Sequence, residues 1–383
     1  LFAQTIAPAM RNADAEGKKI AAAATADGID TLEAWDWFYY SDRVKEKEYS
    51  VDLSELRPYF QLDKVLEDGV FYAANLAYGL TFTPRPDLTG YHKDVRIWEV
   101  FDADGTGIGL FLGDFFTRPT KRGGAWMNNI VDQSCAEGTY PVVANNLNIA
   151  PPAPGQTALV NLDEVNTLFH EFGHTLHGLL SQTHYRSLSG TNVERDIVEY
   201  PSQVNEMWML HPDVLPRYAR HIDTDQPVPA DLIERVKASD AWGEGQRTVE
   251  YLRAAVLDWA WHTQAATLDA EPIQDPRAFE EKALKDAGLW HELVESRYRT
   301  SYLNHTFSGG YEAGYYSYLW AEVFDADTVA WYKEGNTDAR VKGDAFRQHI
   351  LAIGGTKPIP EAFHEMTGRQ AQIQPLLERR GLL

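Results

Sequence analysis

The residues best suited to chemistry lie in "TLFHEFGHTLHGLL", positions 167–180, which sets His170, Glu171 and His174 in a His-Glu-x-x-His pattern. On a helix, positions i and i+4 stand one above the other, so both imidazoles can face one ion while Glu171 points at a water on it. A zinc ion there would bring its water to a pKa of ~7 and polarise a carbonyl, and the carboxylate would remove the water's proton. The chemistry expected is hydrolysis of an amide or ester. His177 falls near the same sector. It reads as a competing ligand, a residue backing a ligand or a surface residue, and the second reading is preferred.

A hydrolytic zinc takes three protein ligands and leaves one position for water. The segment "SGTNVERDIVEYPSQVNEMWMLHP" offers Glu194, Asp196, Glu199 and Glu206. If 192–208 is largely helical, with Pro201 near a kink or boundary, Glu199 and Glu206 share one face two turns apart, and Glu194 and Asp196 point elsewhere. Spacing alone does not choose between Glu199 and Glu206.

These side chains need a rigid carrier. With successive residues ~100° apart, Val165, Leu168, Phe169, Phe172, Leu176, Leu179 and Leu180 form one apolar stripe, opposite the sector of His170, Glu171 and His174. A helix over 163–181 with a core face and a site face is predicted. Upstream, 11–28 and the aromatic-faced stretch after it read as packing helices. The β-rich runs of 95–116 flank an Asp-Gly pair, the signal of a hairpin. Asp102, Asp104 and Gly105 resemble part of a calcium loop, but its remaining acidic ligands are absent, so a turn is expected. A strand and a Pro/Gly-rich loop lead into the 163–181 helix, and the rest reads as mostly helical.

Bulk composition narrows the partners. The chain of 383 residues has 56 acidic against 35 basic residues, a net charge of -21, which repels a phosphate backbone, so no nucleic-acid partner is expected. No stretch approaches the ~18 apolar residues of a membrane span. Cys135 is the single cysteine and reads as a small packing residue in a reducing, cytoplasmic setting. The chain starts at Leu1, so a preceding segment is expected.

Taken together, "FHEFGHTLHGLLS", "SGTNVERDIVEYPSQVNEMW" and "HTFSGGYEAGYYSYLWAEVFDAD" resemble, in order, the thimet oligopeptidase and neurolysin family of zinc peptidases. Within it they look most like the bacterial peptidyl-dipeptidases, with oligopeptidase A the near relative. "AWDWFYYSDRV", "KRGGAWM", "PVVANNLNIAPP" and "LLERRGLL" also fit, so the likeness runs from about residue 30 to the end. It implies one zinc ion held by His170, His174 and Glu199, with Glu171 activating the water and Glu206 left as a residue backing a ligand. Cobalt or manganese would accept the same donors.

Tyr311, Tyr315 and Tyr318 are spaced i, i+4 and i+7, so a helix after "SGG" would line their rings along one face, by itself an aromatic core stripe. The resemblance assigns Tyr311 and Tyr318 to the oxyanion and His305 to the substrate backbone, where preorganised donors lower a barrier by ~3 kcal/mol each. Gly309 and Gly310 would let that loop flex or approach a peptide closely.

The implied fold is mostly α, a zincin-type metallopeptidase with a small β-sheet beside the active-site helix. Family members are nearly twice as long and two-lobed, so residues 1–383 are expected to be the catalytic, C-terminal part of such a fold. Short unstructured peptides are the expected substrates of a monomeric enzyme, with release of C-terminal dipeptides first and internal cleavage of oligopeptides second. A catalytically impaired peptide-binding protein is the rival from another class.

Overall fold

A computed structural model describes residues 1–383 apart from 50–51, 265–271, 309 and 336–337. The chain divides into two compact units, Leu1–Asp52 with Ala230–Trp320 and Gln374–Leu383, and Leu53–Pro229 with Ala321–Ile373. Most described residues are helical.

The second unit contains the sheet, made of β1 (Thr81–Pro84), β2 (Arg96–Phe101), β3 (Gly107–Phe116), β4 (Trp126–Val131) and β5 (Val142–Ile149), in the spatial order β1-β2-β3-β5-β4. All neighbours are antiparallel except β3 and β5. The predicted hairpin is β2–β3. In its turn Asp102 N–H donates to Thr106 O at 2.8 Å and Gly105 takes a φ of +84°. Two Arg347 nitrogens donate to the Asp102 carboxylate at 2.9 and 2.5 Å, so this carboxylate serves the turn and an ion pair. The short β1 and β4 were not anticipated, because neither shows a long alternating run.

Alternation along β3 and β5 builds both faces of the sheet. Leu112 and Ala144 join Ile97 in a small core cluster. Phe111 turns the other way, its ring 5.2 Å from that of Phe172 on the Leu162–Leu180 helix. Asn161 caps that helix, accepting from Glu164 N–H while Glu164 accepts from Asn161 N–H, both at 2.8 Å.

In the first unit the helices Phe2–Ala26 and Glu244–Gln264 pack together. The buried Glu16 carboxylate accepts from Gly245 and Gln246 N–H at 2.8 and 2.9 Å, satisfying two free donors at the start of the second helix.

Candidate active site

The predicted two-faced helix is enclosed on both faces. Gly173 lies against the Tyr200–Glu206 helix, where a Cβ would meet Ser202 Cα at 2.5 Å and Pro201 O at 2.8 Å. One turn and a half later Gly178 faces the sheet, where a Cβ would meet Asn129, Met127 and Val143. Thr175 Oγ1 donates to Asn145 Oδ1 of β5 at 2.6 Å, and Asn205 Nδ2 donates to Phe169 O at 2.7 Å. Two glycines and two side-chain hydrogen bonds therefore set the height and rotation of the helix between its neighbours. The polar sector is internal, and its carboxylate Glu171 is only 5% exposed.

His170, His174 and Glu199 come together, one donor atom from each lying within 4.8 Å of the others. Glu199 Oε2 is 3.2 Å from both His170 Nε2 and His174 Nε2. A tetrahedral ion with bonds of about 2.0–2.1 Å spaces its donors about 3.4 Å apart, so two imidazoles and one carboxylate at these distances fit a metal ion of the zinc type. No other such cluster occurs among the described residues, and Glu194 and Asp196 are outside this one.

Helix does not run through 192–208 as predicted; it covers only Tyr200–Glu206. Pro201 has no N–H and disfavours helix before it, so it starts the helix and leaves 192–199 as turns. Glu199 thus precedes the helix and Glu206 ends it, and the two bracket one imidazole. Glu206 Oε1 lies 2.7 Å from His170 Nδ1, on the far side of the ring from Glu199. Ser202 Oγ donates to Glu199 Oε2 at 3.3 Å.

Electrostatics follows from this crowding. Burial pulls the His170 imidazole down, but Glu199 and Glu206 outweigh it and push it up to about 10. Burial raises Glu199, and the two histidines more than reverse that, holding it well below the usual carboxylate range. Glu171 is raised by burial, and its Oε2 has no hydrogen-bond partner among the described residues. A base beside a metal needs such a free, enclosed lone pair. His177 is 1% exposed, lies outside the ligand cluster and is pulled down to about 3 by burial, so it is a neutral, enclosed ring.

The other predicted residues belong to the first unit. Tyr311 and Tyr318 stack at 6.0 Å with their planes 9° apart, and His305 lies against Tyr311 at 4.3 Å. His305 Nε2 is 3.1 Å from Tyr318 Oη. These three rings assemble, but Tyr311, Tyr315 and Tyr318 do not share one helix as predicted: helix begins at Ser317, and Tyr311 and Tyr315 sit in a turn. Gly310 at φ +81° and Ala313 at φ +54° are left-handed, which a helix cannot accommodate. Gly309 lies outside the described residues.

Peptidase family M3 matches this chain over residues 2–382. The chain belongs to peptidase family M3. Among curated M3 relatives, a dipeptidyl carboxypeptidase of Salmonella typhimurium is 46% identical over 352 residues, covering 92% of this chain and 51% of the relative. One of Escherichia coli is 43% identical over the same shares. An Escherichia coli oligopeptidase A is 35% identical over 361 residues, covering 93% of this chain and 52% of its own. The chain therefore spans about half the length of the curated relatives it matches.

Proposed function

We propose that this M3 chain is a zinc metallopeptidase acting on short unstructured peptides and releasing C-terminal dipeptides. The observation that carries the reading is the convergence of His170, His174 and Glu199, with Glu171, whose Oε2 has no hydrogen-bond partner among the described residues, next to the first ligand. His170, His174 and Glu199 would hold a zinc ion, which would supply a Lewis acid and an acidified water. Glu171 takes the water's proton and later delivers it to the leaving amine; burial raises its proton affinity toward both tasks. Glu206 fixes the orientation of the His170 ring and enriches its donor nitrogen. His177 backs the turn carrying His174 as a neutral packing residue. Tyr311 and Tyr318 donate to the oxyanion and His305 to the substrate backbone, a reading supported by the family likeness and by the stacking of their rings.

Dipeptide release is favoured over internal cleavage by the names of the 46% and 43% identical relatives. No helix among the described residues is long and apolar enough to cross a membrane. A cytoplasmic, monomeric protein is part of the proposal, supported by the acidic composition and single cysteine. The test combines zinc content with turnover of a quenched peptide, then compares free and C-terminally amidated peptides. Bound zinc in folded protein without hydrolysis would sink the enzyme reading. Dipeptide release indifferent to amidation would sink the carboxylate-reading one.

A further inference from the structure

The turn carrying Tyr311 and Tyr315 departs from helix at a left-handed alanine, so something outside the turn must hold it. The Glu244–Gln264 helix supplies the anchor through residues on one face. Asp258, 1% exposed, accepts from Ala313 N–H through Oδ1 at 3.0 Å and from Tyr315 N–H through Oδ2 at 2.8 Å. Two turns earlier, the Tyr251 hydroxyl donates to Tyr315 O at 2.5 Å and accepts from Leu319 N–H at 3.2 Å. Between them Ala254 and Ala255 are small enough for the buried Tyr315 ring to pack closely. One turn beyond, His262 Nδ1 lies 2.8 Å from Asp258 Oδ1.

The middle and the end of the tyrosine turn are thus tied to one helix face. A carboxylate suits the task because its two oxygens each accept one of two outward N–H groups. An amide offers one acceptor and turns a donor toward the other N–H. Burial raises the Asp258 carboxyl above its usual range, and the two amides and His262 counter that only in part.

We propose that Asp258 is a positioning residue for the peptidase reaction: by clamping the Ala313 and Tyr315 amides it fixes the stack of Tyr311, His305 and Tyr318. This rests on the oxyanion role proposed above for the tyrosines. Asp258 is buried and acts through the turn it holds. A misplacement near 1 Å at such a stack costs up to about a hundredfold in rate.

The experiment compares Asp258→Asn, Tyr251→Phe, Tyr318→Phe and the double variant Asp258→Asn/Tyr318→Phe in the zinc-loaded chain. It reads kcat, KM, zinc content and hydrogen exchange at the Ala313 and Tyr315 amides. Expected for D258N is a fall in kcat of about tenfold to a hundredfold, with KM within about twofold, zinc retained and both amides exchanging faster. Y251F should show a smaller fall of the same kind, and it carries the test where D258N does not fold. The double variant should fall no further than about twofold below Y318F, since both act through one group. D258N at the parent kcat beside an impaired Y318F, or unchanged exchange at both amides, would overturn the inference alone. Y318F at the parent kcat would overturn the tyrosine assignment first.

Discussion

The two groups of side chains proposed to act in catalysis are held in place by opposite means. In the second unit, His170, Glu171 and His174 are carried by one continuous helix, and their mutual geometry is that of any helical i, i+1, i+4 set. In the first unit, Tyr311 sits in a turn and Tyr318 on a helix, and the turn's amides donate to Asp258 on a helix more than fifty residues earlier. A local carrier tolerates loss of any one support, whereas a turn with left-handed residues depends on its anchors. Metal binding and oxyanion stabilisation should therefore respond to different substitutions.

The largest expected effect tests the helix-borne group. Glu171→Gln should lower kcat by about 10³- to 10⁴-fold while zinc content stays at the parent value. Loss of zinc in that variant would mean the glutamate supports the metal, and the separation of base from ligands would fail. Next, Tyr318→Phe should lower kcat by about 10²- to 10³-fold with zinc binding unchanged, because the tyrosine lies outside the ligand cluster. A parallel loss of zinc would break the distinction between the two groups. Glu206→Gln comes third, weakening zinc affinity about tenfold to a hundredfold through the His170 ring, as read by competition with a chelator.

Smaller effects probe how tightly the carrier helix is enclosed. Gly173→Ala pushes a methyl against Ser202 Cα and should cost about 1–3 kcal/mol in urea denaturation. Parent-like stability would show the helices have room that the close approach denies. The last effect is pH dependence in chelator-treated protein. His170 is raised from 6.5 to about 10, so its stabilising contribution is complete below about 6.5 and is lost as pH rises through 10. His177 is lowered to about 3, so its contribution is complete above 6.5 and is lost as pH falls toward 3. Denaturant midpoints that stay flat from pH 6 to 10 would contradict the double carboxylate embrace of His170.

What was legible in the amino acids was whatever depends on short range. The spacing of His170, Glu171 and His174, the apolar stripe opposite them and the β2–β3 hairpin follow from helical and strand periodicity and from turn chemistry. Periodicity could not choose between Glu199 and Glu206, because it assumed a helix that Pro201 cuts short. Only packing places one glutamate on each nitrogen of His170. Gly173 and Gly178 are visible in the sequence, but their meaning lies in Ser202 and Val143, which approach from other elements.

The tyrosine turn marks the same limit. Its spacing suggested a helix, and the hydrogen bonds to Asp258 decided otherwise. Asp258 stands in the mostly apolar run "YLRAAVLDWAWH", a carboxylate among apolar residues, which is the one local sign that it has partners. The sequence by itself determined which residues share the Leu162–Leu180 helix and which of its faces they occupy, since those depend on local backbone geometry. Tertiary structure decided which carboxylate meets which nitrogen and where the tyrosine rings rest, because such contacts join residues tens of positions apart and exist only once the elements have packed.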